Sequence, residues 1–81
     1  MSFSVYILWS RSLGKYYIGQ TSDLVDQLLQ HNGGQSPDTK SGIPWKLMYH
    51  EDFRNFDDAA TRAEKIRSMK NKSSIEALIN Q

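Results

Sequence analysis

Few side chains in this sequence can do acid–base chemistry near neutral pH. Its two histidines, His31 and His50, are the only side chains that titrate close to pH 7. The sequence also holds four tyrosines. A tyrosine has a pKa of about 10, so it needs a nearby cation or a polarised water before it can take a proton at pH 7. There is no cysteine, which excludes disulfides, a thiolate zinc site and a cysteine nucleophile.

Length and composition limit the protein to a modest set of classes. The 81 residues fit one small domain spanning residues 1–81. A net charge of +1 is too weak to indicate nucleic-acid binding by itself. The apolar stretches are too short for a membrane span, and no signal peptide is evident. The absence of cysteine suits a reducing cytoplasm, which is the location we predict.

Three segments have the composition of β-strands that could position these side chains. Residues 3–9 are β-branched and aromatic, with apolar residues on both faces, which predicts a central strand. Residues 11–15 form a turn with a glycine, and residues 16–20 form the returning strand of a hairpin. Residues 45–53 form a third strand, along which Trp45, Leu47, Tyr49 and Phe53 alternate with other residues.

Helical spacing predicts three helices between and after these strands. The first is capped by residues 21–23, carries Leu24, Leu28 and His31 on one face, and ends at residues 32–34. Residues 33–44 form a long loop, and such loops are often functional. Asp57 and Asp58 cap the second helix, and residues 72–74 cap the third. One face of the second helix carries Ala59, Ala63, Ile66 and Lys70, and the third helix carries Ile75, Leu78 and Ile79. The order β-β-α-β-α-α predicts an α+β fold with a three-stranded antiparallel sheet flanked by helices.

Two short segments of the predicted hairpin carry a more specific pattern. Val5–Ile7, followed about ten residues later by Tyr17–Gly19, resembles the two-part signature of the GIY-YIG nuclease family. The likeness is closest to small stand-alone members, which are related to the amino-terminal domain of the excision-repair incision subunit. It continues through Gln20–Leu24, through His31 and Asn32, and through Thr39, Gly42, Pro44–Leu47 and Tyr49.

The resemblance implies metal-dependent hydrolysis of a DNA phosphodiester. Tyr6 and Tyr17 would lie side by side and contact the attacking water and the phosphate, while His31 assists. An arginine on the first helix would stabilise charge on the phosphoryl group, for which a guanidinium is well suited. A glutamate on the second helix would bind magnesium or manganese, and one carboxylate can be enough for magnesium.

The sequence departs from this family pattern at two positions. The family's first helix has arginine where this chain has Gln27, with the flanking residues in register. On the second helix, one alignment places Ala63 at the metal-binding glutamate, and an alignment shifted by one residue places Glu64 there. Because one residue is a rotation of roughly 100° about a helix, only Ala63 shares the stripe of Ala59 and Ile66. This facing favours Ala63, and the domain is then expected to be a weak or inactive nuclease.

Basic residues suggest where DNA, the expected partner, would lie. Residues 62–72 carry five bases and one acid, a local net charge of +4, whereas residues 51–58 have a net charge of −3. This pattern is equally consistent with ordinary helix-end charges and with a phosphate-binding patch. The candidate DNA-binding residues are Lys15, Lys40, Lys46 and Arg62. Trp9 and Trp45 are expected in the core rather than as base-stacking platforms.

Two other functions remain open for the same fold. The domain could hold nucleic acid without cutting it, or it could be a structural or engineered scaffold with no nucleic-acid activity.

Overall fold

A computed structural model describes residues 2–69 and 71–81 as one three-stranded antiparallel sheet with helices on both faces. The predicted α+β class and element order are confirmed. Lys70, placed on the apolar side of the second helix by its spacing, lies outside the described residues. The elements are β1 (Phe3–Ser10), β2 (Lys15–Thr21), α1 (Leu24–Asn32), a 3-10 turn (Lys40–Gly42), β3 (Trp45–Phe53), α2 (Phe56–Arg67) and α3 (Lys72–Ile79).

Strand β1 is central, with β2 on one side and β3 on the other, as its two apolar faces predicted. Alternate residues of a strand point to opposite faces of a sheet. Tyr6 and Leu8 pack with Trp45 under α1, on what we call the front face. Val5 and Ile7 pack under α2 and α3, on the back face.

The alternation predicted along β3 is wrong in one respect. Ile7 of β1 pairs with Tyr49, but the next residue, Leu8, pairs with Leu47, so the register shifts by one residue at Met48. Because of this β-bulge, odd-numbered residues face one side of the sheet in the first half of β3 and the other side in the second half. Trp45 and Leu47 therefore face the front, whereas Tyr49 and Phe53 pack on the back.

The helix starts agree with the prediction in one case and differ in two. Asp23 caps α1, and its side chain accepts a hydrogen bond from the Asp26 N–H. The cap of α2 is Asn55, which accepts from the Asp58 N–H, and the cap of α3 is Asn71. The two aspartates that were predicted as caps lie instead in the first turn of α2, where their negative charge interacts favourably with the positive end of the helix dipole.

No helix among the described residues is both long and apolar enough to cross a bilayer.

Candidate active site

Tyr6 and Tyr17 lie next to each other on the front face of the hairpin. The register pairs Tyr6 with Gly19 and Leu8 with Tyr17, and the two tyrosine rings are 6.4 Å apart at their centroids. The ring of Tyr6 lies directly over Gly19, where an added Cβ would come within 2.6 Å of the tyrosine Cζ. The missing side chain at position 19 therefore gives the Tyr6 hydroxyl its place above β2, a close approach of the kind that a glycine within a strand permits.

His31 links Tyr6 to the long loop through a buried chain of hydrogen bonds. The Tyr6 hydroxyl lies 3.0 Å from His31 Nε2, and His31 Nδ1 lies 2.7 Å from the Thr39 hydroxyl. Thr39 donates to the Ser36 carbonyl at 3.4 Å. Because a hydroxyl has one hydrogen to donate, this geometry assigns the ring proton of His31 to Nδ1, which donates to Thr39. His31 Nε2 then accepts from the Tyr6 hydroxyl.

Burial sets the protonation of both partners at neutral pH. It raises the pKa of Tyr6 to about 12, with the neighbouring Tyr17 acting in the same direction and Arg67 in the opposite one. Burial also lowers the pKa of His31 below its usual value, which favours the neutral imidazole. Tyr6 therefore holds its proton at neutral pH, and a neutral imidazole stands ready to accept it.

Asn32 ties the end of α1 to the start of β3. Its side-chain amide donates to the Trp45 carbonyl at 3.0 Å and accepts from the Trp45 N–H at 2.6 Å. The Trp45 indole N–H in turn donates to the Thr39 carbonyl at 2.7 Å. The ring of Trp45 also covers Gly42, where an added Cβ would come within 2.7 Å of Trp45 Cε2. The loop that carries Thr39 is thus fixed beside His31 at several points.

Gln27 occupies the side of α1 that faces the sheet. It lies between Leu24 and Leu28, which pack on the front face, and His31, which contacts Tyr6 one turn further along. The residue is half-buried, and among the described residues no side-chain hydrogen bond holds its amide. Position 27 is the one at which the family resemblance predicts an arginine, and the amide that stands there carries no charge.

Residues 63 and 64 of the second helix lie in different surroundings, one buried and one exposed, and neither lies beside the tyrosine rings. Ala63 is fully buried with Val5 and Ile7 on the back face, so the predicted facing of its stripe towards the sheet is confirmed. That face is the opposite one from Tyr6. Glu64 is exposed and lies 3.6 Å from Arg67, whose guanidinium also reaches the Ile18 carbonyl at 3.3 Å, on β2.

The candidate DNA-binding residues do not form one patch. Lys15, Lys40 and Lys46 are exposed. Lys15 pairs with a front-facing residue of β1 and Lys46 with a back-facing one, so the two lie on opposite faces at the same end of the sheet. Arg62 makes a two-pronged ion pair with Glu51 at 2.9 to 3.1 Å, which occupies its guanidinium.

The residues present do not fit a preformed site for the divalent cation that the resemblance implies. Both nitrogens of His31 already have partners, position 63 carries only a methyl group, and Glu64 pairs with Arg67. Within the described part of the chain, no group of three or more histidine, aspartate or glutamate side chains could hold a metal ion. We therefore assign no chemical step to a metal.

Three sequence signals were too weak to show the full site. Thr39 and Asn32 belong to segments of the family likeness, but nothing in their spacing indicates that they position His31 and Trp45. A polar side chain directly after a helix, followed by a tryptophan at the end of the next loop, is the signal that could have suggested the Asn32 link. The contact of Arg67 with β2 could not be predicted either, because it depends on the direction in which α2 crosses the sheet.

Comparisons with known proteins give a family match and two curated relatives. Residues 2–76 match the family model described as the GIY-YIG catalytic domain. A UPF0213 protein of Streptococcus pneumoniae serotype 4 is 32% identical over 95% of this chain and 77% of its own length. A second UPF0213 protein, from another S. pneumoniae strain, is 38% identical over 68% of this chain, and the match spans 56% of that protein's length.

The fold is also found in a solved structure. The solution NMR structure of a UPF0213 protein from Bacillus halodurans superposes with a TM-score of 0.62 over 99% of this chain and 84% of that protein, at 23% identity. The family model covers nearly the whole chain and includes both tyrosine segments. The chain belongs to the GIY-YIG family of nuclease domains.

Proposed function

We propose that this domain binds a DNA phosphodiester at Tyr6, Tyr17 and His31 and hydrolyses it weakly or not at all. The observation that carries the proposal is the hydrogen-bonded sequence from the Tyr6 hydroxyl through His31 to Thr39, with Tyr17 beside it. Tyr6 and Tyr17 would hold the phosphate and the attacking water. His31 Nε2 would receive the proton that Tyr6 passes on.

Weak hydrolysis follows from the neutral side chain at position 27. A phosphoryl transition state places negative charge on the non-bridging oxygens, and an aligned guanidinium stabilises that charge more in the transition state than in the ground state. Loss of one such preorganised contact costs roughly two to three orders of magnitude in rate. Arg67 could compensate only in part, because its guanidinium is engaged by the Ile18 carbonyl and by Glu64.

The second helix is the other reason for weak hydrolysis in our proposal. If position 63 corresponds to the family's metal-binding glutamate, a methyl group replaces the carboxylate. If Glu64 is the ligand instead, its carboxylate must leave Arg67 before it can hold a cation. In either case the acidic contact that the family generally uses for its divalent metal is absent or diverted.

A non-cleaving nucleic-acid-binding module is the second candidate function. The observation that favours it is the unengaged Gln27 amide on the site-facing side of α1, because an amide can hydrogen-bond a phosphate without stabilising transition-state charge. Phosphate contacts of this kind give binding that weakens with salt and does not depend on sequence. A structural scaffold, the third possibility, would bind no nucleic acid even at low salt.

The test is restoration of cleavage with a mixed panel of DNA substrates in magnesium and in manganese. The wild-type domain should bind DNA at low salt and cut little. Under the alignment that places Ala63 at the family's glutamate, Gln27→Arg combined with Ala63→Glu should gain metal-dependent cleavage, and Gln27→Arg alone should gain little. Because Ala63 lies on the back face, opposite Tyr6, the absence of any gain in the folded double variant would rule out position 63 as the metal ligand. Because a carboxylate at position 63 begins in a buried apolar site, circular dichroism and a thermal melt must show that the double variant is folded.

The outcomes separate the candidates. Robust cutting by the wild type would disprove the weak-nuclease proposal. If Gln27→Arg alone restores cutting and an added Glu64→Ala change abolishes it, Glu64 is the metal ligand and the assignment of Ala63 is wrong. Binding without cutting in every variant would favour the second function, and no binding at low salt would leave only the scaffold.

A further inference from the structure

A cleft at one end of the sheet lies beside the candidate active site, and of the residues that build that site it includes only Trp45. Its volume is about 360 Å³, and it is lined by Trp9, Arg11, Pro44, Trp45 and Lys46. Clefts of roughly 300–1,000 Å³ are of the size that holds small organic ligands. We call it the tryptophan cleft.

The tryptophan cleft adjoins the candidate active site through a single side chain. Trp45 lines the cleft, and its ring lies 6.1 Å from that of Tyr17, edge to face. Asn32 and Thr39 hold both the backbone and the indole N–H of Trp45. The wall between the two sites is therefore fixed before any ligand arrives. Trp9 lies on the back face and Tyr17 on the front, so one extended molecule contacts both where it passes around the end of the sheet.

The charges around the cleft select an anionic ligand. Arg11 and Lys46 line it, both are exposed, and no lining residue is acidic. A third cation lies close by, because Lys72 Nζ is 5.3 Å from the centre of the Trp9 ring and donates to the Gly14 carbonyl at 2.9 Å. Because like charges repel, three cations around one tryptophan favour an anion at this place.

The remaining walls select a flat, apolar group. Trp9 is only partly buried, and its ring rests against Tyr16 with centroids 4.7 Å apart. Pro44 and Trp45 supply further ring surface, so the cleft combines an aromatic wall with a cationic rim. This combination of aromatic rings and positive charge is the one that proteins use to hold single-stranded nucleic acid.

We propose that the tryptophan cleft holds one nucleotide of a single strand, next to the phosphodiester at Tyr6 and Tyr17. The base lies against Trp9 and Pro44, and Arg11 and Lys46 contact the phosphates. The inference rests on the proposed function for the position of the rest of the strand. It adds a contact that needs an unpaired or opened strand, whereas binding at the tyrosine site alone does not need the strand to be unpaired.

The test compares two variants that remove the same charge. Arg11→Gln with Lys46→Gln neutralises the rim, and Arg54→Gln with Lys65→Gln neutralises two exposed bases outside the cleft. The probe is a fluorescently labelled single-stranded DNA hexamer, titrated at several salt concentrations. The rim variant should lose affinity. The slope of its log affinity against log salt concentration should become shallower by about 1.4, the value for two phosphate contacts to a single strand. The control should change little.

Trp9 provides a second, independent measurement. Trp9→Leu should weaken hexamer binding about five- to 150-fold, the range expected for one base stacked on an aromatic ring. In the wild type, the indole N–H resonance of Trp9 should shift on titration with the hexamer. A Trp9→Phe variant, which keeps an aromatic ring, should retain most of the affinity and guards against a loss caused by misfolding.

The results distinguish failure of the cleft from failure of the proposed function. If Tyr17 resonances shift but Trp9 does not, and the rim and control variants lose equal affinity, the cleft proposal is overturned and the tyrosine site stands. If the wild-type domain does not bind the hexamer at low salt, both fail. If an acidic peptide hexamer competes as well as DNA does, the cleft recognises charge alone and not a nucleotide, which also overturns the proposal.

Discussion

Adding one methyl group at Gly19 should displace Tyr6 from its position in the site. The new Cβ would lie 2.6 Å from Tyr6 Cζ and closer still to the hydroxyl oxygen, whereas ordinary contact begins at 3.4 Å, so the ring or the strand must move by at least about 0.8 Å. Gly19 has no left-handed backbone angle. The cost of Gly19→Ala therefore comes from this overlap and not from backbone strain.

The magnitude has two contributions. Overpacking a buried position of this kind costs about 1–3 kcal/mol. The Tyr6–His31 hydrogen bond is 3.0 Å long, and a displacement of the ring that lengthens it past hydrogen-bonding distance costs about 1 kcal/mol more. We therefore expect Gly19→Ala to lower the free energy of unfolding by about 2–4 kcal/mol.

Urea denaturation of a double-mutant cycle measures this coupling. Gly19→Ala is compared in the wild type and in a Tyr6→Leu background, where the ring that meets the new methyl group is gone. The coupling energy between the two changes should be about 1–3 kcal/mol. Gly14→Ala is the matched control, because an added Cβ there meets nothing within 4 Å while the backbone φ of +64° is unfavourable for alanine.

A coupling energy near zero would refute the reasoning, because the cost of Gly19→Ala would then arise away from Tyr6. The control should destabilise the domain without coupling to Tyr6, and a coupling for Gly14→Ala as large as that for Gly19→Ala would also refute it.

Three further predictions concern the links around His31. Thr39→Val should lower the free energy of unfolding, measured by urea denaturation, by about 1–3 kcal/mol, because it leaves the buried His31 Nδ1–H unpaired. Thr39→Ser keeps a hydroxyl and should recover most of this loss, and equal losses in the two variants would contradict the prediction. Burial lowers the folded-state pKa of His31, so the stability that neutral His31 contributes is present above about pH 6.5 and is lost as the pH falls below that value. The unfolding free energy of a His31→Gln variant should therefore change less between pH 7.5 and pH 5 than that of the wild type. Asn32→Ala should speed hydrogen exchange at the Trp45 amide, which loses its side-chain partner; unchanged protection would show that this link does not hold the loop.

The sequence predicted the order and type of the elements because the signals for them are local. Apolar and β-branched residues mark β1, and the helical spacing of Ala59, Ala63 and Ile66 marks the buried side of α2. The cap of α2 was misplaced because Asn55 and the two aspartates at positions 57 and 58 all suit a helix start, and only the backbone decides between them.

The parts that could not be predicted depend on contacts between distant residues. Period-two alternation shows that Tyr6 and Ile7 face opposite ways, but it does not show which helix covers which face. The facing argument for Ala63 therefore found the buried stripe correctly without showing that it lies on the back of the sheet. Likewise, the bulge at Met48 has no marker in a run of strand-forming residues.

The two hydrogen bonds from Asn32 to Trp45 have a consequence for how this small domain could be extended. They close the long loop at its base, so the part of the loop between Asn32 and Thr39, which is itself held by His31 and Trp45, need not be of fixed length. The junction of Gln35 and Ser36 lies between two turns, each closed by its own backbone hydrogen bond: Gln35 to Gln30 on one side and Thr39 to Ser36 on the other. Doubling the length of a flexible loop costs only about 0.6 kcal/mol in closure entropy. The domain thus has a natural insertion point where a substrate-recognition segment could be grafted beside the tyrosines without rebuilding the sheet.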